Sequence, residues 1–228
     1  MLLLSIMFSF SLKAADIAPV TFPAQGIKSL VVSVPKGRIS ISSSKTQKDI
    51  SVNVIESNKI YVDSKKCAKS IGLENTQLVV KVSSENILFE KADCNYDVMI
   101  VVPVAQGFDM DISSGSALVI VKNVNGAINL KTATGSVSVE GDVVKNITAK
   151  TATGNMSFSY KTCQGRADLD FLSATGKMTL NLPSICKIRV DYKSAAGKLF
   201  NALGETQDYQ VLINAKSASG DLSIGKLY

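Results

Sequence analysis

Two aspartates, four evenly placed lysines and four cysteines are the residues of this chain whose types and spacing could do chemistry. Asp170 and Asp191 lie 21 residues apart. In a chain that repeats at about that interval they are expected side by side on neighbouring units, and two carboxylates about 5 Å apart are what a retaining glycosidase uses. Arg189 and Lys193 flank Asp191 and offset the same repulsion more simply. Lys131, Lys150, Lys193 and Lys216 each stand four residues before a glycine, with Leu172 interrupting the series. In extended structure they form one outward row, which reads either as a basic stripe for an anionic polymer or membrane surface, or as a solvated face that discourages edge pairing. Asn129, Thr148, Asp170, Asp191 and Asn214, six before each glycine, partly neutralise that row.

Absences narrow the chemistry further. The 228-residue chain has no histidine, which removes the usual general base near neutral pH, the imidazole metal ligand and every Ser-His or Cys-His nucleophile pair. It has no Cys-x-x-Cys zinc spacing, glycine-rich phosphate loop or calcium nonapeptide. No catalytic residue, metal or cofactor is therefore expected. The net charge of +6 and pI near 9.1 suit an anionic partner and equally a soluble lysine-rich surface. The absence of tryptophan disfavours a deep sugar-stacking site. Aromatic content of 6% without clustered arginine speaks against nucleic acid.

Cys67, Cys94, Cys163 and Cys186 form an even set, and their pairing has three solutions in principle. Pairing of sequence neighbours, Cys67 with Cys94 and Cys163 with Cys186, is the expected one, against the alternative of four buried thiols. Disulfides imply an oxidising compartment. Residues 1–15 agree: Leu2 to Leu12 is an apolar and small-residue run followed by Lys13, Ala14 and Ala15, which reads as a secretory signal peptide. The run is too short to span a bilayer, which takes about 20 apolar residues, and no later segment is long enough. The alternative is a short buried N-terminal element. The expected location is the periplasm, the outer surface or the medium.

The elements that must position these residues come from a repeat. Five segments, starting at Ile128, Ile147, Leu169, Val190 and Ile213, align on Gly135, Gly154, Gly176, Gly197 and Gly220, and a weaker copy from Phe108 aligns on Gly115. The glycines are separated by 20, 19, 22, 21 and 23 residues. Apolar residues fall seven and five before each glycine and two and four after it, the pattern of two half-buried strands joined by a corner. The glycine is expected to supply a backbone angle closed to other residues. The preceding alanines (Ala133, Ala152, Ala174, Ala195 and Ala218) are expected to stack inside the corner. The hydroxyls before them (Thr132, Thr151, Ser173, Ser194 and Ser217) are expected to satisfy corner backbone groups.

One such unit cannot bury its apolar face, but stacked units bury it against each other with strands paired in parallel about 4.8 Å apart. The fold expected is all-β: a parallel β-solenoid of about 20-residue coils. Residues 16–228 form its one domain, regular over 105–228 and irregular over the N-terminal cap 16–104. Within the cap, Leu30 to Ile41 reads as a divergent coil around Gly37. Segments from Ile50, Gln77 and Tyr96 read as strands, and Cys67 to Asn75 as a polar excursion with room for a short helix. Cys163, nine after Gly154, and Cys186, ten after Gly176, then fall at nearly the same place on adjacent coils.

The Pro-x-x-Gly step in Val101 to Gly107, leading into a Ser-Gly corner and repeated φ-x-φ-x-x-Ala-x-Gly-x-φ-x-φ units, resembles the bacterial family of exported "putative adhesin" β-solenoid domains of unknown function. The resemblance covers roughly residues 28–228 and is strongest from 96 onward. It implies no catalytic residues, and a non-catalytic envelope or surface scaffold. Two alternatives stay open: a carbohydrate-active β-helix enzyme using Asp170 and Asp191, and a self-assembling or partner-recruiting solenoid. The partners implied are an anionic envelope polymer or another envelope protein. The oligomeric state is left open.

Overall fold

The alternation of apolar and polar residues is realised as strands throughout. The computed structural model describes residues 19–57, 67–84, 94–104, 106–143, 145–163 and 165–227; the leader read at 1–15 lies outside them. The N-terminal strands are β1 (Val20–Pro23), β2 (Ser29–Val34), β3 (Lys36–Ser44), β4 (Asp49–Glu56), β5 (Cys67–Glu74), β6 (Gln77–Ser84) and β7 (Asn95–Pro103). The regular region contributes β8 (Asp109–Ser114), β9 (Leu118–Lys122), β10 (Ile128–Thr132), β11 (Val137–Val143), β12 (Ile147–Thr151), β13 (Met156–Cys163), β14 (Ala167–Ser173) and β15 (Met178–Pro183). The chain closes with β16 (Ile188–Ser194), β17 (Leu199–Asn201), β18 (Val211–Ser217) and β19 (Leu222–Leu227). The described residues contain no helix, so the excursion from Cys67 is a strand, antiparallel to β6.

These strands form two mixed sheets. Ten lie in the order β1-β4-β7-β3-β9-β11-β13-β15-β19-β17 and nine in the order β16-β18-β14-β12-β10-β8-β2-β6-β5. Within each repeat one strand enters the nine-stranded sheet, the corner turns, and the next strand enters the ten-stranded sheet. Each such pair is a rung. Every pairing between rungs is parallel, and antiparallel pairing is confined to β1, β4 and β5 at one end. Parallel neighbours place equal positions side by side: Met110, Ile128, Ile147, Leu169, Ile213 and Val190 form one row.

Spatial order departs from chain order at both ends. The β2–β3 rung lies between β6–β7 and β8–β9, and the β18–β19 rung lies between β14–β15 and β16–β17. The composition of the last two rungs explains the second exchange. Val211, Ile213, Ala215, Leu222 and Ile224 take inward positions of β18–β19 and are buried. The β16–β17 rung carries Asn201 where the others carry Val139, Phe158, Leu180 or Ile224. A polar amide at an inward site is tolerated at the edge, where water reaches it, and would be costly inside.

The inward side chains of both sheets make one apolar core. Phe158 of one sheet stacks on Phe171 of the other with ring centroids 4.3 Å apart, worth about 1 kcal/mol beyond area burial. Tyr96 and Tyr160 are fully buried, and neither phenolic oxygen finds a hydrogen-bond partner among the described residues. Burial pushes the ionisation of Tyr160 far above the ordinary tyrosine range. Tyr96 is raised by burial first and by the charge of Glu56 second.

Candidate binding groove

The corners generate the site. Thr132 and Thr151, both buried, each accept a hydrogen bond at 3.0 Å through Oγ1, from the amides of Gly135 and Gly154 respectively. Ser194 and Ser217 accept from Gly197 and Gly220 at 2.8 and 2.7 Å, and Ser114 accepts from Ala117 at 2.7 Å. Ser173 differs: its hydroxyl donates to the Thr175 carbonyl at 2.8 Å. Its corner ends at Gly176, which takes φ 122°.

Gly176 alone among the six corner glycines named above lies in the left-handed region, so backbone angle is not the general reason for glycine. Close approach is. A Cβ on Gly154 would fall on the carbonyl of Gly135, one rung away, and the relation repeats from Gly176 to Gly154, Gly220 to Gly176 and Gly197 to Gly220. Two further expectations change. Gly115 does not sit at the glycine position: Ser114 registers with Thr132 and Val119 with Val137, which puts Ala117 opposite Gly135 and Gly115 at the alanine place. The alanines do not stack inside the corner either. Ala133, Ala152, Ala174, Ala195 and Ala218 are all exposed, held by amide-to-carbonyl bonds from rung to rung such as Ala152 N to Ala133 O at 3.0 Å.

The exposed methyls of Ala133, Ala152, Ala174 and Ala218 form the floor of a groove of about 950 Å³ running along the corner row. It begins at Ser33 and Pro35, passes Ser113 and Gly115, and continues along Ala133, Ala152, Ala174 and Ala218, with Lys131, Lys150, Leu172 and Lys216 on its wall. Six rungs at about 4.8 Å spacing make it roughly 24 Å long. Sequence reasoning missed the floor, because small residues in a corner suggest interior packing. It also missed the neutral end, although aligning Gly37 with the other corners would have placed Ser33 in the lysine row.

All four expected lysines fall in one outward row. Lys131 registers with Lys150, Lys150 with Leu172, Leu172 with Lys216, and Lys216 with Lys193. They are not equivalent. Lys193 lies beyond the groove and holds Asp191 at 3.2 Å. Lys131, Lys150 and Lys216 are exposed and make no ion pair among the described residues. Two neighbouring ammonium groups without a counter-charge repel each other, so an anion laid beside them is favoured. Leu172, 46% exposed, adds an apolar contact at the middle of the row.

The aspartates do not stand side by side. Because β18 lies between β14 and β16, Asn214 separates Asp170 from Asp191. Asn214 donates to Asp170 at 2.9 Å, while Asp191 faces Lys193. Their strands are two steps apart, about 9.6 Å, not the roughly 5 Å of the retaining arrangement. The cysteines pair as sequence neighbours: Cys67 to Cys94 with Cα atoms 5.8 Å apart, and Cys163 to Cys186 with Cα atoms 5.7 Å apart. The first ties edge strand β5 to the start of β7, and the second ties the end of β13 to the turn after β15. Two disulfides fit a protein that lives outside the reducing cytosol.

No protein-family model matches the chain, and no curated protein matches it significantly. Among solved structures, it is similar to one described as a "putative cell adhesion protein" from Clostridium sporogenes, with a TM-score of 0.59 and 12% identity over 92% of this chain and 98% of that one. A second, described as a "putative adhesin" from Bacteroides fragilis, is 11% identical with a TM-score of 0.44, covering 92% of this chain and 96% of that one. The first likeness shows a shared all-β fold across nearly the whole of both chains.

Proposed function

We propose that this chain is a non-catalytic binding scaffold of the cell envelope or surface, a two-sheet β-solenoid whose lysine-edged groove holds a linear anionic polysaccharide. The observation that carries the reading is the row of Lys131, Lys150 and Lys216, without ion-pair partners among the described residues, standing over a floor of exposed alanine methyls. A solenoid presents identical positions at a fixed interval, and a polymer presents anionic units at a fixed interval, so each added rung adds a contact. The groove follows one line of corners, which suits a chain better than a bilayer surface. Residues 16–228 act as one unit in this reading, after removal of a leader at 1–15. The adhesin-like fold and the disulfides support a place in the envelope or outside the cell.

The test is binding of the disulfide-intact protein to polygalacturonate, with neutral dextran and polyglutamate alongside. The uronate polymer should bind in a salt-sensitive manner, since exposed charges are screened beyond about 8 Å at physiological ionic strength. The Lys131→Glu, Lys150→Glu double variant should weaken binding at least tenfold. Lys161→Glu, on the outer face of the other sheet beside Glu140, should leave it within twofold. Equal loss from both variants would reduce the interaction to net charge. Preference for polyglutamate would replace the polysaccharide by an acidic protein partner.

A further inference from the structure

The lysine row has one gap, and other groups occupy it. Along the stack the row reads Lys131, Lys150, Leu172 and Lys216, one residue per rung. Rungs stand about 4.8 Å apart, so Lys150 and Lys216 lie about 9.6 Å apart with Leu172 midway. Leu172 offers a half-exposed apolar side chain where its neighbours offer ammonium groups. At the same step a recess of about 300 Å³ adjoins the groove on the outer face of the nine-stranded sheet. Lys150, Leu172 and Lys216 line both, while Thr148, Asp170 and Asn214 line the recess alone. Asp170 lies two residues before Leu172 on β14, so both side chains leave the same face of the sheet. One Asp170 oxygen accepts from Asn214 Nδ2 at 2.9 Å, and the carboxylate makes no ion pair among the described residues.

This step disfavours an anion. It has no cation of its own, and Asp170 sets a negative charge in the recess beside it. It suits an uncharged group that brings an N–H donor for the carboxylate and a methyl for Leu172. We propose that Leu172 and Asp170 form a subsite for an N-acetylated sugar, so that the polymer in the groove is acidic at every second residue. The inference rests on the groove holding a linear anionic polysaccharide. With sugars matched to rungs at about 4.8 Å, alternate sugars meet Lys150 and Lys216, and the sugar between them meets Leu172. Its acetyl methyl lies on Leu172, where burial of apolar surface favours it. Its amide N–H donates to the second Asp170 oxygen, a charge-assisted bond. Lys131, one rung outside the pair, faces the carboxylate held at Lys150 from its other side. A polymer acidic at every residue would set a carboxylate over Leu172 beside Asp170, so the subsite discriminates by repulsion as well as by attraction.

The test compares hyaluronate, in which glucuronate alternates with N-acetylglucosamine, with polygalacturonate. Oligosaccharides of equal length are titrated calorimetrically into the disulfide-intact protein. The wild-type protein should bind hyaluronate about fivefold more tightly, the worth of one net hydrogen bond, although hyaluronate carries half the charge. Leu172→Lys fills the gap in the row and should reverse the preference. Asp170→Asn keeps the shape, removes the charge, and should narrow the preference by raising affinity for polygalacturonate. Both side chains are exposed, and circular dichroism checks that the fold is kept. A wild-type protein that binds polygalacturonate as tightly as hyaluronate overturns the subsite and leaves the groove reading standing, as does a preference that Leu172→Lys leaves unchanged. Binding of neither polymer overturns the groove reading, and the subsite with it.

Discussion

At the residue scale, the corners concentrate the stability. Thr151 is buried and bonds the Gly154 amide, so Thr151→Val leaves a buried donor without a partner. It should cost about 1–3 kcal/mol, read as a lower urea midpoint with unchanged slope. Gly154→Ala must push a methyl into the Gly135 carbonyl and should cost at least as much, about 1–3 kcal/mol. Tyr160 behaves oppositely. Its hydroxyl is buried without a partner among the described residues, so Tyr160→Phe should be neutral or stabilising at pH 8. The sign of its pH dependence follows from the direction of the shift. The folded protein keeps the phenol protonated while the unfolded chain loses the proton near pH 10. Stability is therefore fully present below about pH 10 and falls as pH rises beyond it. Urea midpoints at pH 8 and pH 11 should converge in the Phe variant relative to wild type.

At the element scale, each end of the stack has its own device against unwanted pairing. At one end, β4 and β5 run antiparallel to the β7 and β6 strands they cover, β1 runs antiparallel to β4, and the Cys67–Cys94 disulfide ties β5 down. At the other, β17 is three residues long and the segment between β17 and β18 covers half of β16, with the Glu205 carboxylate accepting from the Val190 amide. Exposed edges template association unless blunted. Glu205→Ala frees the Val190 amide and should increase association read by light scattering, with little change in the thermal midpoint. The Cys163–Cys186 bond joins adjacent rungs across a sequence separation of 23. Replacing both cysteines by serine should lower stability by about 3 kcal/mol in urea unfolding, a loop-length estimate.

At the scale of the whole molecule, long-range parallel pairing sets both the shape and its reading. Every position in a rung is repeated along the stack axis, so a side chain's meaning is its row. The outer face of the nine-stranded sheet carries Asp111, Asp170 and Asp191 in one row and the lysines in the next. The positive row therefore lies on the corner side of that face, against the groove. A net charge of +6 spread evenly would attract any polyanion weakly; in the proposed function it is the row of Lys131, Lys150 and Lys216 beside the groove that would orient a linear chain.

The sequence by itself determined the rung. Two-residue periodicity fixed which side chains face inward, the recurring hydroxyl and glycine fixed the corner, and spacing put Lys131, Lys150, Lys193 and Lys216 in one row. Those features are local, and the pleat and the turn impose them whatever the neighbours are. The exposed alanines and the close-packed glycines misled because a repeated small residue looks the same whether it lines a core or yields space to a carbonyl one rung away. Rung order was decided only by the tertiary structure. Nothing in the spacing of Asp170 and Asp191 shows that Asn214 lies between them, because parallel pairing accepts any rung with matching period. The choice falls to burial: the fully apolar Ile213–Ile224 rung gains most inside, and the rung bearing Asn201 loses least at the edge.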